Sequence, residues 1–371
     1  MDKKRSFLMG VMVLLGICTT ILSSCKDEVD FEQKVDNSWQ QGNKINDMTQ
    51  TRAFVLCEGS YNGNNASITY FDWSNGKIFD KDVFEFQNSK RIGDTGQDLI
   101  RVENNMFMTV YGSRYISKLT GAGVELTRTP VDKELGSPRF MTYHNGYLYT
   151  TTYGGFVAKY NASNLTYVSK VEVGKNPEEI TELDGKLYLV NSGWGNDNRL
   201  SIIDTKTFEK AEHVEIFTNP QKIENVDGRL FVQGYGGKDT YNYQVGEFNP
   251  ATKKYTFIAT ATNFVPANGK LYIVNSVTDW SNKPYKTTNY FSSYDLKTNK
   301  LTNENPFKNM PDELVSSSVF GMSANPYTGD IFVMTSDYVT NGYMYRFDKN
   351  GNFVATMPAQ GVSPKKIVFF K

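Results

Sequence analysis

An internal repeat of about 45 residues constrains the fold of this chain more than any other feature. Each copy contains two strand-like segments rich in aromatic and β-branched residues, such as residues 185–190 and 199–204. The second segments end on residues 72, 119, 161, 204, 249, 295 and 348, so successive ends lie 47, 42, 43, 45, 46 and 53 residues apart. This period is typical of a four-stranded blade, and seven ends predict an all-β, seven-bladed β-propeller.

The two ends of the repeat region predict how the ring closes. The first copy begins at Ala53 with what should be the second strand of a blade. Residues 362–370 match the pattern of a first, inner strand and have no further strand after them. A C-terminal strand that pairs with the N-terminal blade would complete that blade and remove its exposed edge. The sequence therefore predicts one propeller domain over residues 53–371.

The N-terminal residues have the pattern of an export signal. Basic residues at positions 3–5 precede residues 7–22, which are uncharged and too few to span a membrane comfortably. Residues 22–25, Leu-Ser-Ser-Cys, resemble the lipobox of bacterial lipoproteins. This resemblance implies a signal peptide over residues 1–24 and lipidation of Cys25, with attachment to the membrane through the lipid anchor alone. An ordinary signal peptide or an N-terminal anchor helix is the alternative.

The polar segment over residues 25–52 predicts a flexible tether, because it has too few apolar residues to form a core. Docking of Trp39 and Ile45 on the domain is the alternative. The charged residues 26–28, Lys-Asp-Glu, resemble the export tag that sends lipoproteins of some gut bacteria to the outer face of the outer membrane. We therefore expect an outer-membrane protein that faces the extracellular side, although a solvated linker would have the same composition.

Charge and cysteine content exclude some classes of function and of fold stabilisation. Lys and Arg number 40 and Asp and Glu number 40, and no basic stripe is present, so a nucleic-acid partner is not expected. Apart from Cys25 and Cys18 of the signal segment, Cys57 is the one remaining cysteine. A single thiol forms no internal disulfide, and its place in the strand-like run 53–57 predicts a buried packing residue.

The loops between the second and third strands of the blades form the predicted ligand-binding face. They are unusually rich in aromatic rings, Asn and Asp, which provide rigid contact area and adaptable hydrogen bonds. In the alternative interpretation, Gly and Asn form tight turns and the rings cap the core. The residues assigned to this face are Tyr61, Asn65, Tyr111, Arg114, Tyr153, Trp194, Asn196, Tyr235, Tyr241, Trp280, Tyr285 and Tyr338.

Signs of catalysis are few. His144 and His213 have no Cys or His neighbour at metal-ligand spacing, and no nucleophile elbow, phosphate loop or zinc-protease helix occurs. We therefore predict no catalytic residue, no metal and no cofactor, and we assign aspartates such as Asp204 and Asp295 to hairpin turns. Four carboxylates are candidates for lining the central channel: Glu58, Asp98, Glu178 and Glu179. They could act as an acid/base pair or as groups that hold water. Glu178 and Glu179 are adjacent at the start of an inner strand, so one of these two is expected to face the channel.

The chain resembles the YncE-like propeller lipoproteins in three features: residues 54–60 (Phe-Val-Leu-Cys-Glu-Gly-Ser), residues 65–72 (Asn-Ala-Ser-Ile-Thr-Tyr-Phe-Asp) and the repeated Gly-Lys-Leu-Tyr-(Leu/Ile)-Val-Asn-Ser. Relatives of this architecture include surface lipoproteins that capture vitamin B12. The resemblance implies a binding module that captures a small-molecule nutrient, with cobalamin as the first candidate, for a TonB-dependent outer-membrane transporter. The alternatives are an adhesive or scaffold propeller that binds a surface glycan or a protein, and a lyase or hydrolase with its site in the channel.

Overall fold

The computed structural model describes residues 36–237, 240–281, 283 and 285–371, and within them the chain forms seven four-stranded antiparallel sheets. The compact unit that contains these sheets runs from residue 37 to residue 371. The predicted signal peptide and the lipidated Cys25 lie outside the described residues. No helix in the described part of the chain is both long and apolar enough to cross a membrane.

Each sheet is one blade, and its strands follow one another from the channel outwards. Blade 1 contains β28 (Pro364–Phe369), β1 (Arg52–Cys57), β2 (Ser67–Asp72) and β3 (Ile78–Asp82); blade 2 contains β4 (Gly96–Val102), β5 (Asn105–Val110), β6 (Tyr115–Thr120) and β7 (Glu125–Pro130); blade 3 contains β8 (Pro138–His144), β9 (Tyr147–Thr152), β10 (Phe156–Asn161) and β11 (Tyr167–Glu172); blade 4 contains β12 (Pro177–Leu183), β13 (Lys186–Asn191), β14 (Arg199–Asp204) and β15 (Ala211–Glu215).

The remaining blades have the same order, and in blades 5 and 6 the second and third strands are longer than in the other blades. Blade 5 contains β16 (Pro220–Val226), β17 (Arg229–Gly236), β18 (Tyr241–Asn249) and β19 (Lys254–Ala259); blade 6 contains β20 (Asn263–Ala267), β21 (Lys270–Asp279), β22 (Lys286–Asp295) and β23 (Lys300–Thr302); blade 7 contains β24 (Val319–Ala324), β25 (Ile331–Thr335), β26 (Asn341–Phe347) and β27 (Phe353–Val362). A 3-10 helix, Ser38–Gln40, precedes blade 1. Two short helices connect blades: α1 (Val83–Asn88) lies between blades 1 and 2, and α2 (Asp312–Ser316) lies between blades 6 and 7.

The apolar residues of each blade are buried on both faces of its sheet. In β13, Leu187 and Leu189 pack towards blade 3, whereas Tyr188 and Val190 pack towards blade 5. Successive side chains of a strand point to opposite faces, so a blade between two neighbours requires the nearly continuous apolar run seen in each repeat. The described residues form seven such apolar clusters, one at each interface between neighbouring blades. These observations confirm the seven-bladed β-propeller predicted from the repeat.

The C-terminal strand closes the ring as predicted. β28 lies antiparallel to β1, with Phe54 opposite Val368 and Val55 opposite Ile367. Blade 1 therefore takes its inner strand from the C-terminal end of the chain and its other three strands from the N-terminal end. Cys57, on β1, is fully buried, and burial raises the pKa of its thiol to about 12, which agrees with the prediction of a packing residue.

The folded unit begins earlier than the sequence predicts, at Asn37 instead of Ala53. Trp39, Ile45 and Met48 are buried in the apolar cluster between blades 1 and 2, so this part of the predicted tether packs on the propeller. The buried guanidinium of Arg52 accounts for part of this docking, because it lies against the Trp39 ring. The docked alternative for Trp39 and Ile45 is therefore what the structure shows.

Candidate ligand-binding face and channel

Four of the predicted rings form a continuous row that crosses four blades, which we call the ring arc: Tyr61, Tyr111, Tyr153 and Trp194. The ring centres of Tyr61 and Tyr111 are 6.5 Å apart, those of Tyr111 and Tyr153 5.5 Å, and those of Tyr153 and Trp194 5.9 Å. Each ring follows the second strand of its blade, and neighbouring blades therefore bring rings from distant parts of the sequence into contact. Tyr61 and Trp194 are 71% and 64% exposed, so both ends of the arc face solvent.

A buried ion pair lies beneath the centre of the arc. The Arg139 guanidinium donates to Glu178 from Nε at 2.9 Å and from Nη2 at 2.5 Å, and it also donates to Gln97. The Tyr153 hydroxyl donates to Oε1 of Glu178 at 2.6 Å, and Ser192 donates to the same oxygen at 3.1 Å. Glu178 is thus held by four hydrogen bonds, and charge-assisted bonds of this kind are among the strongest in proteins.

The ion pair fixes the position and the protonation of the ring above it. The guanidinium carbon of Arg139 lies 4.6 Å from the Tyr153 ring centre and 5.4 Å from that of Tyr111. Burial and the neighbouring Glu178 carboxylate raise the pKa of Tyr153, so its hydroxyl stays neutral and donates. Burial alone would lower the pKa of Arg139, but the charge of Glu178 raises it, so the guanidinium keeps its charge. The Tyr153 oxygen in turn accepts a hydrogen bond from Nε1 of Trp194 at 3.3 Å.

Three of the predicted residues have left-handed backbone conformations. The φ angle is 50° at Arg114, 52° at Trp194 and 65° at Tyr338. Residues with a β-carbon rarely adopt this region, which costs roughly 1 kcal/mol for each residue. Trp194 stands between two glycines in the loop after β13, so the local backbone presents the indole ring to solvent at a conformational cost.

The other predicted rings form separate groups on the loops of blades 5 to 7. Trp280 and Tyr285 pair at 4.9 Å at the tip of the β21–β22 hairpin. Tyr235 and Tyr241 are joined through Tyr243, a ring that the sequence-based assignment omitted. Tyr338 packs edge-on against Phe320 at 5.7 Å, a second omitted ring. Among the described residues, no ring contact connects these groups with the ring arc.

The two predicted amides maintain the shape of their own loops. Asn65 accepts a hydrogen bond from the backbone N–H of Ser60 at 2.8 Å, and Asn196 donates to the carbonyl of Gly193 at 3.1 Å. Both contacts match the alternative interpretation, in which Asn residues form tight turns. The aspartates assigned to turns behave likewise, since Asp204 and Asp295 accept backbone N–H bonds from residues two or three positions later.

A polar cavity of about 550 Å³ occupies the central channel. Its wall is formed by the inner strands, and in six of the seven blades the inner strand has a register shift near its start. In β8, for example, Arg139 and Phe140 stand between the pairs Pro138–Thr152 and Met141–Thr150, where the facing strand has only Thr151. Such a bulge redirects side chains, and both Arg139 and Phe140 consequently line the cavity.

The bulges also separate the two channel glutamates predicted from the sequence. Glu178 is buried and bound to Arg139, whereas Glu179 lines the cavity. Asp98 also lines the cavity, and Glu58 pairs with the cavity residue Lys365 at 2.8 Å. Sequence reasoning identified these carboxylates but missed Arg139, although its position directly after Pro138 repeats that of Glu178 after Pro177 and could have indicated it.

The histidines lie apart from these features. His144 ends β8 and lies 3.4 Å from Glu182, and His213 is on the outer strand β15, where it shares a hydrogen bond with Ser201 at 2.9 Å. Burial lowers the pKa of His213. Within the described ranges, no group of three or more His, Cys, Asp or Glu side chains has the arrangement needed to hold a metal ion.

Comparisons with known proteins show the fold alone. No protein-family profile and no curated protein matches the sequence. A quinoprotein alcohol dehydrogenase-like protein from Bacteroides thetaiotaomicron is similar in structure over 86% of this chain and 78% of its own, with a TM-score of 0.61 and 14% identity. Hydrazine synthase from Kuenenia stuttgartiensis matches 71% of this chain and 85% of its own, with a TM-score of 0.58 and 13% identity.

A third structure, of a functionally unknown protein from Desulfotomaculum acetoxidans, matches 86% of this chain and 99% of its own, with a TM-score of 0.56 and 12% identity. At identities this low, proteins of one architecture can differ widely in chemistry. The comparisons agree with the strand order in placing the chain among the seven-bladed β-propellers.

Proposed function

We propose that the protein is a binding module that holds a small molecule on the ring arc at the mouth of the channel. One observation carries this proposal: four rings from four blades lie in a continuous row over a buried Arg139–Glu178 ion pair. Aromatic rings supply large contact areas and lose little conformational entropy on binding. Tyr111 and Tyr153 are held before any ligand arrives, and such preorganisation lowers the cost of association.

Cobalamin is the first ligand to test, on the strength of the sequence resemblance. A corrinoid is broad, partly apolar and fringed with amides. The ring arc offers a correspondingly wide apolar surface. Trp280 and Tyr285 provide a second pair of rings on the β21–β22 hairpin of blade 6. In this proposal the protein is a lipoprotein of the outer membrane that passes its cargo to a TonB-dependent transporter. That part rests on Cys25 and residues 26–28 of the sequence alone.

A surface glycan is the second candidate, and the exposed indoles favour it. Trp194 and Trp280 are 64% and 70% exposed, and flat exposed rings suit the apolar faces of sugars as well as those of a corrinoid. A corrinoid and a glycan are chemically different ligands, so titrating the protein with each of them separately distinguishes the two candidates.

Calorimetric titration of the purified protein with cyanocobalamin, and with a panel of oligosaccharides, tests the proposal. The Tyr111→Ala variant should weaken binding of the true ligand by about tenfold. Phe257→Ala, which removes an exposed ring on an outer strand, is the matched control and should leave the affinity unchanged.

No binding of cyanocobalamin at micromolar concentrations would eliminate the corrinoid. Saturable oligosaccharide binding that depends on Tyr111 would establish the glycan instead. If neither class binds, or if Tyr111→Ala and Phe257→Ala have equal effects, the arc is not a ligand site for these molecules.

A further inference from the structure

The side chains in and around the channel cavity leave one negative charge without a partner. Four cations line the cavity, and each has one carboxylate within hydrogen-bond distance. The four pairs are Arg139 with Glu178 at 2.5 Å, Lys222 with Glu224 at 2.7 Å, Lys365 with Glu58 at 2.8 Å and Lys366 with Asp98 at 2.7 Å. Glu179 is the fifth carboxylate of this group, and among the described residues it has no ion-pair partner.

The surroundings of Glu179 supply little compensation for its charge. Its Oε2 accepts one hydrogen bond, from the backbone N–H of Ile223 at 3.1 Å. Burial raises the pKa of Glu179 to about 7. The charges of Lys222 and Lys366 lower it and those of Glu224 and Asp98 raise it, but burial outweighs the two lysines. Those four groups already pair with one another, so the wall of the cavity offers Glu179 no free cation. A carboxylate in such a position gains most from a positive charge brought in from outside.

The rest of the wall indicates what kind of molecule would fit beside Glu179. Two half-buried rings, Phe140 and Phe320, stand among the charged groups of the wall. A volume of about 550 Å³ falls within the range of small-molecule sites. A monovalent cation with an apolar body matches both the single uncompensated charge and this lining. A metal ion does not, because the described residues offer no metal-binding group of three side chains.

We propose that the central channel is a binding site for a small organic cation, a primary amine, whose ammonium group pairs with Glu179. An ammonium has three N–H donors, so it can bond to the carboxylate and to other oxygen atoms of the wall at the same time. This site is distinct from the ring arc, where the proposed function places its ligand, and it does not depend on that proposal.

Calorimetric titration of the purified protein with phenethylamine, compared with phenethyl alcohol, tests this inference. The two probes match in size and differ in charge, so the amine should bind at least about tenfold more tightly. Its affinity should rise between about pH 6 and pH 8, because Glu179 ionises in this range while the alkylammonium keeps its proton. In Glu179→Gln, which preserves shape, both the preference for the amine and the pH dependence should disappear.

Phe257→Ala is the control, because this exposed ring on the outer strand β19 belongs neither to the ring arc nor to the wall of the cavity. It should leave amine binding unchanged. Thermal unfolding of Glu179→Gln verifies that the variant is folded, and phenethylamine should raise the melting temperature of the unaltered protein alone. Equal affinities for the two probes, no binding of either, or unchanged amine binding in folded Glu179→Gln would each overturn the inference. Loss of ligand binding at the ring arc alone would leave it intact.

Discussion

The guanidinium carbon of Arg52 lies 3.7 Å from the centre of the Trp39 ring and 4.5 Å from that of Phe370. One cation thus contacts the segment before blade 1 and the C-terminal end of the chain at the same time. Its Nε also donates to the carbonyl of Gly121 at 2.6 Å, so blade 2 is attached as well. Burial of Arg52 lowers its pKa to about 10, which still leaves it charged at neutral pH.

Trp39→Ala should destabilise the propeller by about 3–5 kcal/mol, because it leaves a cavity between blades 1 and 2 and removes one side of the Arg52 contact. Trp39→Phe is the matched control. It keeps an aromatic ring and removes an indole N–H that has no acceptor among the described residues, so its cost should be far smaller. Urea unfolding measures both, and equal losses would contradict the role assigned to the ring.

Removal of residues 363–371 should prevent closure of the ring. Blade 1 would lose its inner strand and β1 would expose an unpaired edge, which favours association between chains. We expect aggregation or a large loss of cooperative unfolding, measured by size-exclusion chromatography and circular dichroism. A monomeric truncated protein with the unfolding transition of the full chain would contradict this prediction.

Glu178→Ala should cost about 3–5 kcal/mol, because Arg139 would remain buried without its carboxylate. Tyr153→Phe removes one of the four bonds to Glu178 and should cost about 1 kcal/mol. The double variant Arg139→Met/Glu178→Leu removes both charges and should recover much of the loss. Chemical unfolding of Arg139→Met, of Glu178→Leu and of the double variant forms a double-mutant cycle, and strictly additive losses would show that the two charges are not coupled.

Glu179 should make the folded state less stable as the pH rises. Its pKa is raised from 4.5 to about 7 in the folded protein, so the folded state holds more protons than the unfolded state between these values. Stability should therefore fall over that range, by on the order of 1–3 kcal/mol for this group. Glu179→Gln should flatten the pH dependence of urea unfolding between about pH 5 and pH 7. An identical pH profile in both proteins would refute the assignment.

Trp194→Gly should raise stability while lowering affinity at the ring arc. Glycine adopts a φ of 52° without strain, so the substitution should gain up to about 1 kcal/mol on relief of the left-handed tryptophan. The ring is largely exposed and its removal costs little packing, but the ligand loses one end of the arc. Thermal unfolding and ligand titration on the same sample test whether stability rises while affinity falls. A loss of stability would show that the ring supports the loop.

The fold was predictable because the same local sequence pattern recurs in each blade. The glycine-led turn before Leu187 and the turn aspartate at 204 are local signals, and they recur at nearly constant spacing. The pairing of β28 with β1 was predictable for a related reason, since residues 362–370 had the pattern of an inner strand and no other blade lacked one. In both cases the sequence near the element carries the information.

The docking of Trp39 and the ion pairs of the channel were not predictable in this way. Trp39 stands in a polar segment, and it is buried because Arg52, Phe370 and blade 2 meet there from distant parts of the chain. The bulge in β8 that turns Arg139 towards Glu178 has no strong local signature apart from the preceding proline. The ring arc lies between these extremes, since its residues were predicted but their contacts depend on blade order.

The origin of blade 1 makes ring closure a long-range step of folding. Six blades consist of consecutive residues, so their strands can pair through contacts that are local in the sequence. Blade 1 has three strands until β28 pairs with β1, and its completion brings the two ends of the folded unit together. Closure should therefore be slower than the formation of any other blade, because it alone requires two segments far apart in the sequence to meet.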